Sequence, residues 1–319
     1  MSTAWRDPVV PSHVAGETDP AAELEAGLLK STATVSPKFL YDKLGSALFS
    51  AITELPEYYP TRTESAILER CLPEIAAALV PGLTLIDLGA GDCTKASRLL
   101  DLLRVSKYLA IDISETHLRG SVAALQARFA SLPMIGVAMD FSRGLALPEG
   151  LVDGPALVFY PGSSIGNFAP AEALELLRQA HQLSRGGALL IGADLLKPVG
   201  ILQAAYDDAI GVTSAFNLNL LLHVNRILGS DFQVRDWRHH CVFNASESRI
   251  EMHLEARREL LVRWPGRQRA FATGERIHTE SSYKWTSAGF QSLLRDAGWR
   301  QVRRWTDSRE WFGVFLAQA

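Results

Sequence analysis

The sequence predicts an α/β protein in which a second domain is inserted into a doubly wound parallel sheet. Three observations predict this fold class. From about Thr61 to Ile191, short apolar segments typical of buried strands alternate with helical segments. The first apolar segment runs directly into a glycine turn and a helix. The alternation stops after Lys197 and returns at Thr286, which indicates the insertion.

The predicted elements follow one another in the order expected of such a sheet. In the first part we expect helices over 65–79, 95–103, 115–129 and 170–183, and strands over 84–88, 107–111, 135–139, 156–160 and 188–191. A long helical stretch over 201–228 and polar, strand-like segments make up the insertion. A helix over 286–297 and strands over 299–305 and 311–317 then close the first domain with a hairpin at the sheet edge.

The domain boundaries are therefore predicted to be discontinuous. One domain takes residues 61–196 plus 286–319, and the other takes residues 21–60 plus 197–285. Residues 1–20 are polar and interrupted by prolines, which is typical of a poorly ordered tail, and a short helix is expected over 21–30.

Composition excludes several classes of protein. The 319 residues are 47% hydrophobic, and 32 basic against 35 acidic side chains give a net charge of −3, unlike the basic surplus of a nucleic-acid-coating protein. The three cysteines and eight histidines show no disulfide or metal-ligand spacing. Because there is no signal peptide and no apolar run of about 18 residues, we expect a cytoplasmic protein with no membrane partner. We also expect no metal and no nucleic-acid partner; a monomer is compatible with the sequence, which does not determine the oligomeric state.

The clearest local motif is the segment 86–95 (IDLGAGDCTK), in which a strand leads into Gly89, Gly91 and a helix. Glycines allow a ligand to approach the backbone, although many strand-to-helix turns use them for steric reasons alone. Asp112 closes the next strand, 21 residues after Gly91, where a carboxylate can accept hydrogen bonds from ribose hydroxyls. Thr94 stands where a dinucleotide fingerprint has its third glycine, so an adenosine ligand is favoured over a dinucleotide.

The ends of the later strands carry further candidates. Asp140-Phe141 follows the third strand, and this series of strand-end acids resembles S-adenosylmethionine-dependent methyltransferases, in which the acid and the aromatic ring contact adenine. A turn cap is the alternative for Asp140. Asn167 follows the fourth strand in a glycine-containing loop, where its amide can orient an amino acid or serve the turn alone.

The segment 276–285 alternates in the manner of a strand. His278, Glu280, Ser282 and Lys284 are then predicted to share one face, and residues two apart on a strand are roughly 7 Å apart. A carboxylate and a hydroxyl at that spacing fit a small ring with two polar nitrogens. A solvated strand face is the alternative interpretation.

Five longer stretches carry a more specific resemblance. They are 39–46 (FLYDKLGS), 55–62 (LPEYYPTR), 162–167 (GSSIGN), 205–217 (AYDDAIGVTSAFN) and 279–282 (TESS). Together they resemble the histidine-specific Nα-methyltransferases of ergothioneine biosynthesis, and the similarity runs from Phe39 to the C-terminus. This implies a Rossmann-like class I methyltransferase domain over 61–196 plus 286–319, and an amino-acid-binding domain over 21–60 plus 197–285.

The resemblance also assigns roles to individual residues. It implies that S-adenosylmethionine contacts Gly89, Lys95, Asp112, Asp140 and Phe141, with Gly91 in the same loop. It implies that L-histidine is bound by Tyr58, Asn167, Tyr206, Met252, Glu280, Ser281 and Ser282, and that Tyr41, Tyr58, Asn167 and Tyr206 serve catalysis. The implied reaction trimethylates L-histidine to hercynine, the first step of ergothioneine biosynthesis. Without the family, Met252 is ordinary packing and Tyr58 part of an aromatic core pair.

Other functions remain open at this stage. An Nα-methyltransferase for another amino acid such as tryptophan shares the same motifs, although Glu280 and Ser282 favour histidine. The arginines at 257, 258, 263, 267 and 269 are the one hint of an RNA or protein substrate, and a solvated face explains them as well. A noncatalytic S-adenosylmethionine-binding regulator is the third alternative.

Overall fold

The computed structural model describes residues 9–11 and 19–319. These residues divide into two compact units. The first unit contains residues 9–11, 63–195 and 285–319, and the second contains residues 19–62 and 196–284.

The strands of the described residues are numbered in chain order. They are β1 (Val9–Pro11), β2 (Ala33–Thr34), β3 (Thr84–Leu88), β4 (Lys107–Asp112), β5 (Met134–Ala138), β6 (Ala156–Tyr160), β7 (Ala188–Asp194), β8 (Trp237–Asn244), β9 (Arg249–Ala256), β10 (Leu260–Trp264), β11 (Arg267–Phe271), β12 (Arg276–Tyr283), β13 (Gln301–Thr306) and β14 (Phe312–Gln318).

The α-helices of the described residues are numbered in the same way. They are α1 (Pro20–Leu28), α2 (Lys43–Thr53), α3 (Tyr59–Ala78), α4 (Thr94–Leu100), α5 (Glu115–Arg128), α6 (Pro170–Ser184), α7 (Val199–Tyr206), α8 (Val212–Leu228) and α9 (Ser287–Asp296).

The first unit is built on one sheet with the strand order β1-β5-β4-β3-β6-β7-β14-β13. The pairs from β1 to β7 are parallel, and β14 and β13 add to β7 as an antiparallel hairpin. The central strands β3 and β6 are buried along their whole length, because helices cover both faces of a doubly wound sheet. The predicted fold class and closing hairpin are confirmed.

Two hydrophobic cores lie on opposite faces of this sheet. One contains Leu177 of α6 and Leu294 of α9, and the other contains Ile67 of α3, Leu99 of α4 and Val122 of α5. The strand order reverses at β3, which has β4 on one side and β6 on the other. In open α/β sheets, ligands bind at such a reversal, beyond the carboxyl ends of the strands.

Three sequence predictions are corrected by the structure. Val9–Pro11 is not a poorly ordered tail, because it pairs with β5 as β1 and its Val9 is buried; residues 1–8 and 12–18 lie outside the described residues. The helix expected from residue 65 begins at Tyr59. The stretch 201–228 is two helices rather than one, because Gly211 adopts φ 81° and Asp208 accepts the backbone N–H groups of Val212 and Thr213 at the start of α8.

The second unit contains a sheet with the order β2-β12-β9-β8 and a separate hairpin of β10 and β11. Helices α7 and α8 contact β8 and β9. One face of the sheet carries Arg249, Glu251 and His253 along β9, whereas the side chains of Ile250 and Met252 belong to the opposite, buried face.

A β-bulge in β12 changes which of its side chains share a face. The pairing with β9 shifts between His278, opposite His253, and Glu280, opposite Met252. Because a bulge inserts one extra residue, the alternation reverses there. His278 therefore lies opposite to Glu280 and Ser282, and the prediction that it shares their face is wrong. Its Nε2 lies 2.9 Å from Ser281 Oγ, on the face that carries Glu251 and His253.

Glu251 makes the stability of this sheet depend on pH. Burial acts to raise its pKa, but hydrogen bonds from Asn244, Arg249 and His253 and the Arg249 charge outweigh burial and lower the pKa to about 2 from an ordinary 4.5. A lowered carboxyl pKa stabilises the fold above the unfolded value, and this stabilisation is lost as the pH falls towards the folded value.

Between pH 5 and 2.5, the unchanged protein should lose about 2 to 3 kcal/mol more unfolding free energy than Glu251→Gln does, because the variant has no carboxylate at this position to protonate. Urea unfolding at a series of pH values measures this. Glu247→Gln, at an exposed position in the β8–β9 turn, is the control. Equal pH slopes in both variants would contradict the role of Glu251.

Candidate active site

The glycine turn after β3 is shaped for close approach of a ligand. Gly89 and Gly91 adopt φ 70° and 53°, a left-handed conformation that favours glycine. The N–H groups of Gly89 and Ala90 both donate to the carbonyl of Ile111, at 2.9 and 3.0 Å, and this ties the turn to β4. The chain then enters α4, where Thr94 N–H donates to Asp92 Oδ1.

Asp112 ends β4 beside this turn, and backbone donors fix its carboxylate. Gly91 N–H donates to Oδ2 and Ser114 N–H donates to Oδ1, each at 3.0 Å. A carboxylate oxygen accepts two hydrogen bonds, so each oxygen keeps one acceptor position. The half-buried carboxylate is thus held at the end of its strand, where each of its oxygens can accept from one further donor.

Asp140 and Phe141 lie after the adjacent strand β5. Asp140 Oδ1 accepts from the backbone N–H of Ser142 at 3.2 Å and from its hydroxyl, so the turn-cap role weighed for Asp140 is present. The Phe141 ring packs edge-on against Tyr160 at 5.8 Å between ring centroids. Since Asp112 pairs with Ala138 across β4 and β5, the structure brings Asp112, Asp140 and Phe141 to the same end of neighbouring strands.

Lys95 is held by a buried carboxylate that the sequence analysis did not single out. Its Nζ lies 2.6 Å from Glu64 Oε2, and Glu64 Oε1 accepts from the Gly162 N–H at 2.7 Å. Glu64 is 1% exposed, and a Cβ atom at Gly192 would come within 2.0 Å of its Oε1. Glu64 thus links α3, α4 and the loop after β6, and Gly192 provides the space for it.

A second buried acid, Asp87, lies within β3 beneath the glycine turn. Burial raises its pKa to about 7, although the hydrogen bond that it accepts from the Tyr108 hydroxyl at 2.8 Å and the charge of Lys95 both act to lower the pKa.

The backbone of the loop after β6 is fixed by a hydrogen bond to β7. Ser163 adopts φ 59°, and its hydroxyl accepts from the Asp194 N–H at 2.8 Å. Asn167 ends a short 3₁₀ segment of this loop, and its half-buried amide makes no hydrogen bond within the described residues.

In the second unit, five aromatic rings form a continuous cluster. The ring of Phe49 lies 5.5 Å from that of Tyr41, 6.1 Å from that of Tyr58 and 6.0 Å from that of Phe216. Tyr58 also packs edge-on against Tyr206 at 6.3 Å. The structure therefore brings the predicted Tyr41, Tyr58 and Tyr206 together, and it adds Phe49, which no sequence pattern singled out.

Tyr206 joins this cluster to the buried face of the β8-β9-β12 sheet. Its hydroxyl donates to Ser282 Oγ at 2.8 Å, and Lys284 Nζ donates to both oxygens, at 3.0 and 2.8 Å. Glu280 shares the face of Ser282 and pairs with Met252 of β9. Met252, Glu280 and Ser282 are each at most 7% exposed. The alternative that Glu280 and Ser282 lie on a solvated strand face is therefore wrong.

His239 fixes the backbone of Tyr206. The Asn217 amide donates to His239 Nδ1 at 2.9 Å, so the ring N–H is on Nε2, which donates to the Tyr206 carbonyl at 2.9 Å. Burial lowers the pKa of His239, which keeps the ring neutral and preserves this arrangement. Asn217 belongs to the stretch 205–217, so the structure gives that motif a positioning role.

Ser281 does not lie with the other predicted histidine-binding residues. Its neighbours Glu280 and Ser282 point to the buried face, whereas Ser281 Oγ bonds His278 Nε2 on the opposite face. The alternation of side chains along β12 after the bulge causes this separation.

A family profile described as "Histidine-specific methyltransferase, SAM-dependent" matches residues 20–319. The chain belongs to this family. It is therefore an S-adenosylmethionine-dependent methyltransferase, as the motifs of the first unit predicted.

Individual relatives agree with the family assignment of this methyltransferase. The histidine N-alpha-methyltransferase of Mycolicibacterium smegmatis is 41% identical over 303 residues, which cover 92% of this chain and 93% of that protein. Ergothioneine biosynthesis protein 1 of Neurospora crassa is 30% identical over 287 residues, covering 87% of this chain and 32% of the longer relative. Among solved structures, a possible exported protein from Bordetella parapertussis matches with a TM-score of 0.50 at 15% identity, covering 88% of this chain and 84% of that chain, a similarity of fold alone.

Two absences hold for the described part of this methyltransferase. No group of three or more His, Cys, Asp or Glu side chains there could hold a metal ion. None of the helices in residues 9–11 and 19–319 has the length and apolar character that a membrane span requires.

The contribution of Glu64 to cofactor binding and to stability can be tested by substitution. Replacing a buried carboxylate by an amide leaves Lys95 without this charge partner, and breaking such a pair is strongly destabilising. We expect Glu64→Gln to weaken S-adenosylmethionine binding by roughly tenfold and to lower the unfolding free energy by about 2 kcal/mol. Calorimetric titration and thermal unfolding measure the two effects.

The matched control is Glu69→Gln, which removes another helix α3 carboxylate paired with an α4 cation, Arg98, at an exposed position. Exposed pairs contribute little to stability, so this variant should resemble the unchanged protein. Indistinguishable behaviour of the two variants would show that Glu64 does not position Lys95.

Proposed function

We propose that this methyltransferase transfers methyl groups to the α-amine of L-histidine and trimethylates it to hercynine, the first step of ergothioneine biosynthesis. The observation that carries the proposal is the buried pair Glu280 and Ser282 on one face of β12, with Met252 opposite Glu280. The names of the two relatives support both the substrate and the pathway.

For the cofactor, the proposal assigns one role to each strand end of the first unit. Asp112 accepts from the ribose hydroxyls through the free positions on its two oxygens. Asp140 accepts from the adenine amino group, and Phe141 packs on the adenine ring. Gly89, Gly91 and Lys95 contact the rest of the cofactor, and Glu64 positions Lys95 and the loop after β6. When bound, S-adenosylmethionine supplies an electrophilic methyl group on sulfur.

For the amino acid, we assign the predicted residues except Ser281. Tyr206 lies at its amine region and acts there as an acceptor, because its hydroxyl hydrogen is donated to Ser282, and Tyr58 and Tyr41 of the same aromatic cluster are further hydroxyl ligands. Asn167 is a further ligand, because its amide has both a donor and an acceptor to offer. Glu280 accepts a ring N–H, Ser282 bonds the second ring nitrogen, and Met252 packs beside Glu280.

The reaction is a displacement in which the amine nitrogen bonds the methyl carbon as the carbon–sulfur bond breaks. The amine must be unprotonated, so one proton leaves it for each methyl group added, to water or through a tyrosine hydroxyl. The protein contributes mainly by holding nitrogen, carbon and sulfur in line. Such positioning contributes up to about 7 to 11 kcal/mol in the best intramolecular models.

Substrate identity is tested by mass spectrometry. The purified chain is mixed with S-adenosylmethionine and all twenty free amino acids at equal concentration. We expect histidine alone to gain mass, in steps of one methyl group up to three. Methylated tryptophan would overturn the assignment of Glu280 and Ser282, and no product would move the proposal to a macromolecular substrate or a regulator.

Glu280 is tested separately from the cofactor. A hydrogen bond to a charged group contributes about 1.5 to 3 kcal/mol, so Glu280→Ala should lower kcat/KM for histidine by roughly ten- to a hundredfold. The affinity for S-adenosylmethionine should stay nearly unchanged in a calorimetric titration. Glu259→Ala, at an exposed position of the same unit, is the control. An equal loss for both ligands would give Glu280 a structural role instead.

A further inference from the structure

We propose that Lys284 fixes Ser282 as a hydrogen-bond donor, so that the buried face of β12 selects a neutral imidazole ring over a ring that brings two N–H donors. Lys284 is then a specificity-determining positioning residue. The inference rests on the proposed function, because it takes Glu280 and Ser282 as the two contacts of the histidine ring.

Lys284, Ser282 and Tyr206 form a triangle of hydrogen bonds. Lys284 Nζ lies 2.8 Å from Ser282 Oγ and 3.0 Å from the Tyr206 hydroxyl oxygen, and these two oxygens are 2.8 Å apart. The ammonium also lies 4.7 Å from the centroid of the Tyr206 ring. Lys284 is 3% and Ser282 4% exposed, so their hydrogen bond is removed from solvent, whereas Tyr206 is half-buried. Tyr206 ends α7, Ser282 belongs to β12 and Lys284 follows β12 directly.

Within this triangle, Ser282 can form a hydrogen bond with a ligand only as the donor. A lysine ammonium only donates, and a hydroxyl oxygen has two acceptor positions and one hydrogen. Ser282 Oγ receives one hydrogen bond from Lys284 and one from Tyr206, which fills both acceptor positions. Its own hydrogen finds no acceptor among the described residues. Ser282 therefore meets a bound ring as a donor.

Glu280 imposes the opposite requirement. As an ionised carboxylate it only accepts, and it lies two residues from Ser282 on the same face, at the roughly 7 Å spacing of a strand. A ring between them needs an N–H towards Glu280 and an unprotonated nitrogen towards Ser282. Neutral imidazole has both groups, whereas imidazolium presents a second N–H to the Ser282 hydrogen, next to the Lys284 charge.

The same argument separates histidine from tryptophan. Indole has an N–H for Glu280 but no nitrogen lone pair for Ser282, so a buried donor would stay unpaired. With imidazole, all hydrogen bonds run in one direction, from Lys284 through Ser282 and the ring to Glu280. Hydrogen bonds aligned in this way polarise one another.

The bound ring can be examined directly by nitrogen NMR. Histidine labelled with ¹⁵N in its ring is bound to the full chain with S-adenosylhomocysteine at pH 6, where free histidine is mostly imidazolium because its ordinary pKa is about 6.5. We expect one N–H resonance and one resonance of an unprotonated nitrogen. Lys284→Met keeps the unbranched stem and removes the donors, so its bound ring should show two N–H resonances, and its KM for histidine should rise roughly tenfold.

Lys197→Met is the matched control. Lys197 Nζ lies 2.8 Å from the Tyr59 hydroxyl and 4.4 Å from that ring's centroid, so it has the same lysine–tyrosine arrangement outside the triangle. Its bound histidine should give the spectrum of the unchanged protein. S-adenosylmethionine affinity should be the same in all three proteins.

Two results would overturn the inference: imidazolium bound to the unchanged protein, or a neutral ring bound to Lys284→Met. The first result needs no variant, so it decides even when Lys284→Met fails to fold. Failure of the proposed function looks different. In that case the unchanged protein neither binds histidine saturably nor methylates it, whereas failure of this inference alone leaves binding and turnover intact.

Discussion

The parallel pairing of β5, β4, β3 and β6 is the constraint on which the proposed cofactor residues depend. Because these strands run in one direction, the segments that follow them meet at one edge of the sheet. Gly91, Asp112 and Asp140 come from three different strand ends, and the Gly91 N–H already donates to the Asp112 carboxylate. Their arrangement follows from the sheet rather than from the flexibility of the loops.

In the second unit, the one extra residue of the β-bulge in β12 determines which side chains lie on each face of the sheet. The bulge after His278 leaves Glu280 and Ser282 with Met252 on the buried face, and it leaves His278 with Ser281 on the other. Burial lowers the pKa of His278 to about 4, so that ring stays neutral in its own network. The two networks therefore lie on opposite faces of the same sheet and share no residue.

The residues that the sequence could propose for the site are those that stand at a strand end or in a family motif. Gly89, Asp112 and Tyr206 are of this kind. The sequence predicted the wrong face for His278 because the alternating pattern of the residues does not reveal the β-bulge, which reverses the side-chain directions in the folded strand. Glu64 escaped notice because its partners Lys95 and Gly162 lie 31 and 98 residues away, and a single acid carries no pattern that reveals such pairing. Lys284 was placed with Ser282 by the alternation of the strand, but its hydrogen bond to Tyr206, 78 residues away, has no signal in the sequence.

The hairpin that closes the large sheet also determines how its outer edge meets other molecules. Within the described residues, β13 pairs with β14 alone, so its other side presents unpaired backbone groups. Such an edge is a template for the strand of another chain. Arg303 and Arg304 stand exposed on β13, and charged side chains on an edge strand disfavour its pairing with another chain. The open edge of the large sheet thus carries the charge pattern that opposes the addition of a further strand.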